Sequence, residues 1–272
     1  MNGMETMQDG QPEDSSTPLF TGIGVALVTL FDDKGALLAR QTADLAAQLV
    51  RRGMSAVLVA GSTGEPWSLS AAERTALGQE VRERVPAEVP VLLGTGAFGG
   101  WDETLEMTAG CAESGADAYL IMPPPGIPAD PDHFARLRSI AGDTPVWAYH
   151  VPAVSAPGVP TDVAAQLDVA AMKDSSGDAD RLAAEAIAFS RPLYVGSPTV
   201  LTLARALGLP GAILALGNTV PELCLAAFGG DLKAQAEVAR LHIQSLAGFP
   251  AGLKQTIRDT YRTSAATRPR PR

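Results

Sequence analysis

Between residues 20 and 228 one hydropathic pattern recurs eight times. A short run rich in Val, Ile and Leu gives way to a Gly/Ser/Pro turn, and the turn to an Ala/Leu/Glu/Arg segment with apolar positions at helical spacing. The apolar runs are Val25–Phe31, Ala56–Gly61, Val89–Gly94, Asp117–Met122, Pro145–Val151, Val169–Lys173, Pro192–Gly196 and Gly211–Leu216. The helical segments are predicted to start near Gln41, Ser70, Asp102, Asp130, Thr161, Asp178, Pro198 and Val220. Ser70 lies three residues before Glu73, the spacing of a capping box, and Thr161 and Asp178 are suitable N-caps. Strands apolar at nearly every position are buried on both faces, which points to an α/β protein with a parallel sheet under helices. Eight such units suit a closed (β/α)8 (TIM) barrel of roughly 250 residues better than an open sheet. Helical patterns over Asp231–Gly248 and Leu253–Tyr261 predict a short C-terminal helical extension. The expected organisation is a disordered N-terminal tail (1–19), a barrel (20–228), C-terminal helices (229–262) and a basic tail (263–272), a short charge run of the kind that does nothing specific.

Apolar residues make up 46% of the chain and charged residues 19%, enough to fill a large core and to exclude extensive disorder. The formal charge of −9 argues against nucleic acid or an anionic membrane as partner, although a local site can still take an anion. No apolar run is long enough to span a bilayer, and the N-terminus lacks a basic segment followed by an apolar one. A cytoplasmic protein is expected. The two cysteines, Cys111 and Cys224, fall in helix-like stretches and are expected to be buried free thiols.

In such a barrel, chemistry sits at the C-terminal ends of the strands. The second run ends in Gly61-Ser62-Thr63-Gly64-Glu65, either an ordinary turn or a small nest of hydroxyls and N–H groups suited to a carboxylate. In the fifth, a period of two puts Trp147, Tyr149 and Val151 on one face and His150 on the other. Tyr149 is then either a proton relay at the barrel mouth or a buried tyrosine bonded to a neighbour. The sixth run closes on Lys173, which either snorkels to solvent or, desolvated inside the barrel, offers a free amine that attacks a ketone. The three histidines, His133, His150 and His242, form no cluster with carboxylates at strand ends, which argues against a metal enzyme. P-loop, nucleophile-elbow and dinucleotide signatures are absent. Gly196-Ser197 and Gly217-Asn218, after the seventh and eighth runs, read as turns in preference to a phosphate site.

Taken in order, Gly-Ser-Thr-Gly-Glu at 61–65, Tyr-x-Val-Pro at 149–152 and Lys-Asp-Ser-Ser-Gly-Asp at 173–178 resemble the dihydrodipicolinate synthase/N-acetylneuraminate lyase superfamily of pyruvate-dependent class I aldolases. The resemblance runs from about Thr21 to Leu253 and includes Gly94-Thr95-Gly96 and the stretch 211–218. It implies that Lys173 forms a Schiff base with a 2-oxo acid and that Tyr149 relays protons with Ser62. It implies that Thr63 and nearby N–H groups hold the substrate carboxylate, that the Ile213 carbonyl faces the bound acid, and that Gly196 and Ser197 shape specificity. It further implies no cofactor or metal beyond the covalent imine, a 2-oxo acid and an aldehyde as small-molecule partners, and a homo-oligomer, dimer or tetramer.

Three features depart from the synthases of that superfamily. Pro123-Pro124-Pro125 stands where they carry Pro-Tyr-Tyr, Val154 where they carry an arginine for the second substrate's carboxylate, and His150 where they carry asparagine; the C-terminal helical region also reads as short. The expected activity is therefore a lyase or aldolase acting on a 4-hydroxy-2-oxo or 2-oxo-3-deoxy sugar acid. The alternatives are 4-hydroxy-tetrahydrodipicolinate synthase, an imine-dependent dehydratase, and a barrel that binds a 2-oxo acid without turnover.

Overall fold

A computed structural model describes residues 17–269. The expected disorder of residues 1–16 and the last three residues of the basic tail lie outside the described residues. Eight parallel strands close in sequence order into a barrel: β1 (Gly22–Ala26), β2 (Ala56–Val59), β3 (Val91–Gly94), β4 (Ala118–Ile121), β5 (Val146–His150), β6 (Ala171–Asp174), β7 (Leu193–Val195) and β8 (Gly211–Leu214). The seam pairs β1 with β8, Gly22 opposite Gly211. Around it run α1 (Ala39–Arg51), α2 (Ala71–Arg84), α3 (Trp101–Gly110), α4 (Pro131–Ala141), α5 (Thr161–Ala164), α6 (Ala179–Ala188), α7 (Leu201–Ala206) and α8 (Pro221–Phe228), followed by α9 (Leu232–Leu246) and α10 (Ala251–Tyr261). This is the (β/α)8 barrel with a C-terminal helical extension that the hydropathic repeat predicts.

Alternation along each buried strand divides the apolar residues into two sets. Outward residues such as Met172, Ala148 and Leu93 pack against the helices, and inward ones such as Leu58, Leu92, Trp147 and Ile213 fill the barrel. Phe20, Trp147 and Tyr194 stack inside it, with ring centroids 4.6 Å apart for Phe20–Tyr194 and 4.8 Å for Trp147–Tyr194. The Tyr194 hydroxyl donates to the Phe20 carbonyl at 2.7 Å, and burial pushes its pKa up to about 12.

The first strand lies three residues earlier than its apolar run suggests. Glycines usually mark turns, so Gly22 and Gly24 read as outside the strand. Inside the barrel, a Cβ on Gly24 would come within 3.3 Å of both Ala56 and the Phe20 ring, so glycine is what lets β1 approach its neighbours. The apolar residues Leu27–Phe31 lie beyond the strand and remain buried as a loop.

The caps behave as their chemistry suggests, with one exception. Ser70 and Glu73 form the reciprocal capping box, and Asp178 accepts the Arg181 N–H. Thr161 is not an N-cap. Pro160 holds that position, the helix is a single turn, and the Thr161 hydroxyl instead accepts from Arg181 Nη1 at 3.0 Å. After β7 the chain first makes a 3-10 turn over Pro198–Val200, capped by Ser197. Asn218, in the turn after β8, donates to the carbonyls of Ala26 and Ala215 and accepts from Val28 N–H, so that turn is tied into the fold. Both cysteines are buried and free. No helix among the described residues is long and apolar enough to cross a membrane.

Candidate active site

Strand register brings the central pair together. Tyr149 of β5 lies directly opposite Lys173 of β6, both on the inward face. In a parallel pair this register is shared by the whole strand, so two side chains far apart in sequence meet because their strands do. Lys173 Nζ donates to the Tyr149 hydroxyl at 3.3 Å and lies 4.4 Å from the ring centroid. Ser62 Oγ is 3.0 Å from the same hydroxyl, and Ser175 Oγ donates to it at 3.4 Å. Lys173 and Tyr149 are only 2% and 3% exposed, which decides against the snorkelling lysine. Among the described residues, Lys173 has no ion-pair partner. The cation-accepting group nearest its amine is a phenol, which it can influence without being neutralised.

The electrostatics of Tyr149 follow from that contact. Burial opposes its ionisation, but the charge of Lys173 and the hydrogen bonds from Ser175, Ser62 and Lys173 together outweigh burial and lower its pKa. A phenol so placed gives up and takes back a proton more readily than tyrosine in water.

The loop after β2 supplies the third component. Ser62–Gly64 forms one 3-10 turn and Pro66–Ser68 a second, with Glu65 between them in the left-handed region at φ 56°. Ala60, where the strand ends, also has positive φ, at 50°. A non-glycine residue held there is strained and persists only where its surroundings fix it. Gly64 is required sterically, since a Cβ there would lie 3.0 Å from Thr29 Oγ1 and 3.2 Å from the Leu27 carbonyl. Thr63 is 2% exposed, and its hydroxyl makes no hydrogen bond among the described residues. Beside the loop, a cavity of about 10 Å³ is lined by Ala60, Gly61, Leu120, Met122 and Tyr149. It is about the size of one water molecule.

Of the remaining sequence-predicted residues, Gly196 stands against the lysine. A Cβ there would meet Ser175 Oγ at 1.7 Å and Lys173 Cε at 2.8 Å. Ile213 sits on β8 in the inward-facing set. The Ser197 side chain is turned to Thr199, 2.8 Å away, and makes no hydrogen bond to Lys173 or Tyr149.

Two site residues escape the sequence reading. Ser175 is two residues beyond Lys173, and the same period of two that aligns Tyr149 would have placed it on the lysine's face. Arg74 is fully buried, donating to the carbonyls of Gly94 and Gly96 at 2.9 and 3.0 Å and to Pro66 at 2.6 Å. Burial lowers its pKa to about 10. It joins the loops after β2 and β3, a long-range role that no local pattern signals.

Behind Lys173, Asp174 faces outward and receives Arg181 Nε at 2.7 Å and Ser176 N–H and Oγ at 2.6 Å each. Glu185 also pairs with Arg181, but burial and then the charge of Asp174 push its pKa up to about 8. His150, outward as predicted, accepts the Val159 N–H at Nδ1, and burial lowers its pKa. The described residues contain no group of three or more His, Cys, Asp or Glu able to hold a metal ion.

A closed (β/α)8 barrel whose strand ends bring together a buried lysine, a phenol with lowered pKa and a hydroxyl-bearing turn is an arrangement suited to a barrel lyase. Residues 19–262 match the model of the dihydrodipicolinate synthetase family, and the chain belongs to that family of lyases. It is 31% identical over 251 residues to the 4-hydroxy-tetrahydrodipicolinate synthase of Parasynechococcus marenigrum, covering 87% of this chain and 82% of that one. It is 30% identical over 243 residues to an uncharacterised DapA-like lyase of Halobacterium salinarum, covering 86% and 79%. Among solved structures, it superposes on the chloride-inhibited dihydrodipicolinate synthase of Acinetobacter baumannii complexed with pyruvate with a TM-score of 0.81 at 24% identity, covering 92% of each chain. It superposes equally broadly on a dihydrodipicolinate synthase variant described as monomeric, with a TM-score of 0.79 at 24% identity over 94% and 92% of the chains. At that identity these two likenesses concern the fold.

Proposed function

We propose that the chain is a class I lyase or aldolase in which Lys173 forms an imine with a 2-oxo acid, pyruvate being the simplest. The observation that carries this reading is the continuous contact Lys173 Nζ–Tyr149 Oη–Ser62 Oγ at 3.3 and 3.0 Å, inside a barrel and with no carboxylate on the lysine among the described residues. The neutral amine attacks the ketone carbon, water leaves, and the protonated imine accepts the electron pair of the adjacent C–C or C–H bond. The enamine so formed adds to an aldehyde, or arises when a 4-hydroxy-2-oxo acid is cleaved. Tyr149 and Ser62 carry the protons of carbinolamine formation and of C–C bond chemistry. The free Thr63 hydroxyl and the N–H groups of its turn hold the carboxylate, with the Ile213 carbonyl facing the acid. Gly196 keeps space for the lysine, and Ser197 contributes to specificity from the neighbouring turn. The imine serves as electron sink, so the reaction calls for no cofactor or metal.

The partner aldehyde is read as neutral or polyhydroxylated, as in cleavage of a 2-oxo-3-deoxy sugar acid. Val154 is half-buried against the barrel-lining residues and presents an apolar surface where a synthase needs a cation. A charge-assisted contact contributes about 1.5–3 kcal/mol, so its absence lowers kcat/KM for aspartate semialdehyde by about one to two orders of magnitude. The second reading, 4-hydroxy-tetrahydrodipicolinate synthase, rests on relatives of that name at 30–31% identity. Borohydride reduction in the presence of pyruvate tests the imine itself. Irreversible labelling at Lys173 is expected, and labelling elsewhere, or none, would remove the reading.

A further inference from the structure

The turn that carries Ser62 and Thr63 is held from two sides. On the barrel side, Thr29 Oγ1 donates to the Gly64 carbonyl at 2.7 Å. On the other lies Glu65, fully buried. One of its carboxylate oxygens pairs with Lys254 Nζ, and the other accepts the backbone N–H of Arg268 at 2.8 Å. Lys254, from α10, is equally buried; it donates to the Ala266 carbonyl at 2.7 Å and lies 4.6 Å from the centroid of the Phe31 ring. The Arg268 guanidinium lies 4.3 Å from that same centroid. It donates to the carbonyls of Ser68 and Gly35 at 2.8 and 2.7 Å, and with both terminal nitrogens to Glu73 at 3.0 and 2.6 Å. The segment that reads from sequence as a solvated basic tail is thus folded, at least through Arg268, over the far side of the carboxylate-binding turn.

Stability alone is a poor explanation for this arrangement. Desolvating Glu65 and Lys254 costs several kcal/mol per ion, and apolar residues of similar volume commonly do as well. An ion pair differs from an apolar contact in being directional. Here the directed groups fix Glu65, whose left-handed backbone sets the course of the turn on one side and the second 3-10 turn on the other.

We propose that the C-terminal segment 262–268, with Lys254, is a latch that sets the affinity of the site for the 2-oxo acid by holding the Ser62–Thr63 turn in its binding conformation, Arg268 acting as a positioning residue. This rests on the imine reading above. If the turn is competent only while latched, the apparent affinity scales with the latched fraction. Releasing the latch so that this fraction falls to about a tenth raises the pyruvate concentration for half-maximal binding about tenfold.

The experiment uses the full chain, with pyruvate and borohydride as the probe of imine formation at Lys173, and hydrogen exchange of the amides of residues 61–68 as a probe independent of activity. Arg268→Ala is expected to raise the pyruvate concentration for half-maximal trapping about tenfold and to speed exchange at 61–68, while trapping still goes to completion at saturating pyruvate. Arg268→Lys keeps the charge but not the fork and is expected to restore part of both effects. Lys254→Met strands the buried Glu65 charge, so the paired variant Lys254→Met/Glu65→Gln is used alongside it, with a shift in the same direction expected. If the intact chain is trapped and Arg268→Ala is trapped with the same concentration dependence, the latch is overturned while the imine reading stands. Faster exchange at 61–68 without a change in pyruvate dependence overturns it as well, leaving the contact purely structural. An intact chain that is never labelled overturns the imine reading and the latch with it.

Discussion

Gly196→Ala is a small change with a calculable consequence. The added methyl carbon would lie 1.7 Å from Ser175 Oγ and 2.8 Å from Lys173 Cε. The hydroxyl can rotate away, its one tie being a 3.4 Å bond to Tyr149, but Ser175 Cβ, 2.9 Å from the added carbon, does not move with it. The lysine is more constrained. Carbon–carbon contacts are favourable at about 3.5–4.0 Å, so Cε must move by roughly 1 Å, and the lysine, 2% exposed, makes that move inside the packed barrel. A displacement of about 1 Å at a reacting centre costs on the order of 10²-fold in rate, close to 2.7 kcal/mol at about 1.36 kcal/mol per tenfold. Overpacking adds a loss of about 1–3 kcal/mol in stability. The assay is the rate of borohydride trapping with pyruvate, read beside the thermal midpoint. The double variant Gly196→Ala/Ser175→Gly is a useful companion: it removes the contacts with the Ser175 side chain at 1.7 and 2.9 Å and leaves the one with Lys173, so trapping should stay slow. A Gly196→Ala protein that is folded and trapped at the rate of the unaltered chain would refute the claim that Gly196 keeps space for Lys173.

Five further outcomes are expected. Lys173→Ala abolishes both labelling and turnover; residual turnover would move the nucleophile elsewhere. Tyr149→Phe keeps the ring and removes the hydroxyl to which Ser62, Ser175 and Lys173 bond, so kcat falls by about 10² or more with a smaller change in binding, and Ser62→Ala shows a milder fall. A coupled assay with pyruvate and aspartate semialdehyde gives weak or no dihydrodipicolinate synthesis, whereas some 4-hydroxy-2-oxo acid releases pyruvate; synthesis at about 10 s⁻¹ would favour the synthase reading instead. Glu185 binds its proton up to about pH 8 in the folded chain against about 4.5 ordinarily, so the unfolded state loses the proton first, stability falls as pH rises across that window, and Glu185→Gln flattens the fall in urea midpoints. The proposed assembly, at least a dimer, is checked by light scattering, where a monomeric mass at micromolar concentration would exclude it.

Much of the barrel is legible in the sequence because its strands are buried on both sides. Nearly continuous apolar runs such as Ala118–Ile121 leave little ambiguity once eight of them alternate with helices. The candidate pair is legible in part for the same reason, since Lys173 and Tyr149 are polar residues on inward faces of such runs, but period alone leaves their roles open and the family resemblance is what singles them out. What the sequence conceals falls into two kinds. Gly22 and Gly24 look like punctuation yet belong to β1, because interior crowding by Phe20 and Ala56 is a tertiary matter. Arg74, Lys254 and Arg268 look like surface cations yet are largely buried, because their partners are backbone carbonyls or carboxylates on other elements, some as much as 233 residues away. No window along the chain contains such a pairing. The Asp174–Arg181–Glu185 group is intermediate: the spacing of Arg181 and Glu185 is visible, but their burial against Asp174 is not.

The stacked rings of Phe20, Trp147 and Tyr194 bear on traffic as well as packing. They occupy the barrel interior, and the Tyr194 hydroxyl is bonded to the chain at Phe20 as it enters β1, so the interior has no through-passage along its axis. Everything that reaches Lys173 then enters and leaves by the same opening. Imine formation expels one water and imine hydrolysis consumes one, and a bound 2-oxo acid stands between the lysine and bulk solvent at both moments. On the imine reading proposed above, the acid would enter first and be converted to the imine, the aldehyde would arrive or depart above it, and water would return only after the aldehyde's place is empty. On that same reading, steady-state kinetics of the ping-pong type are expected, with the 2-oxo acid as first substrate in the condensing direction.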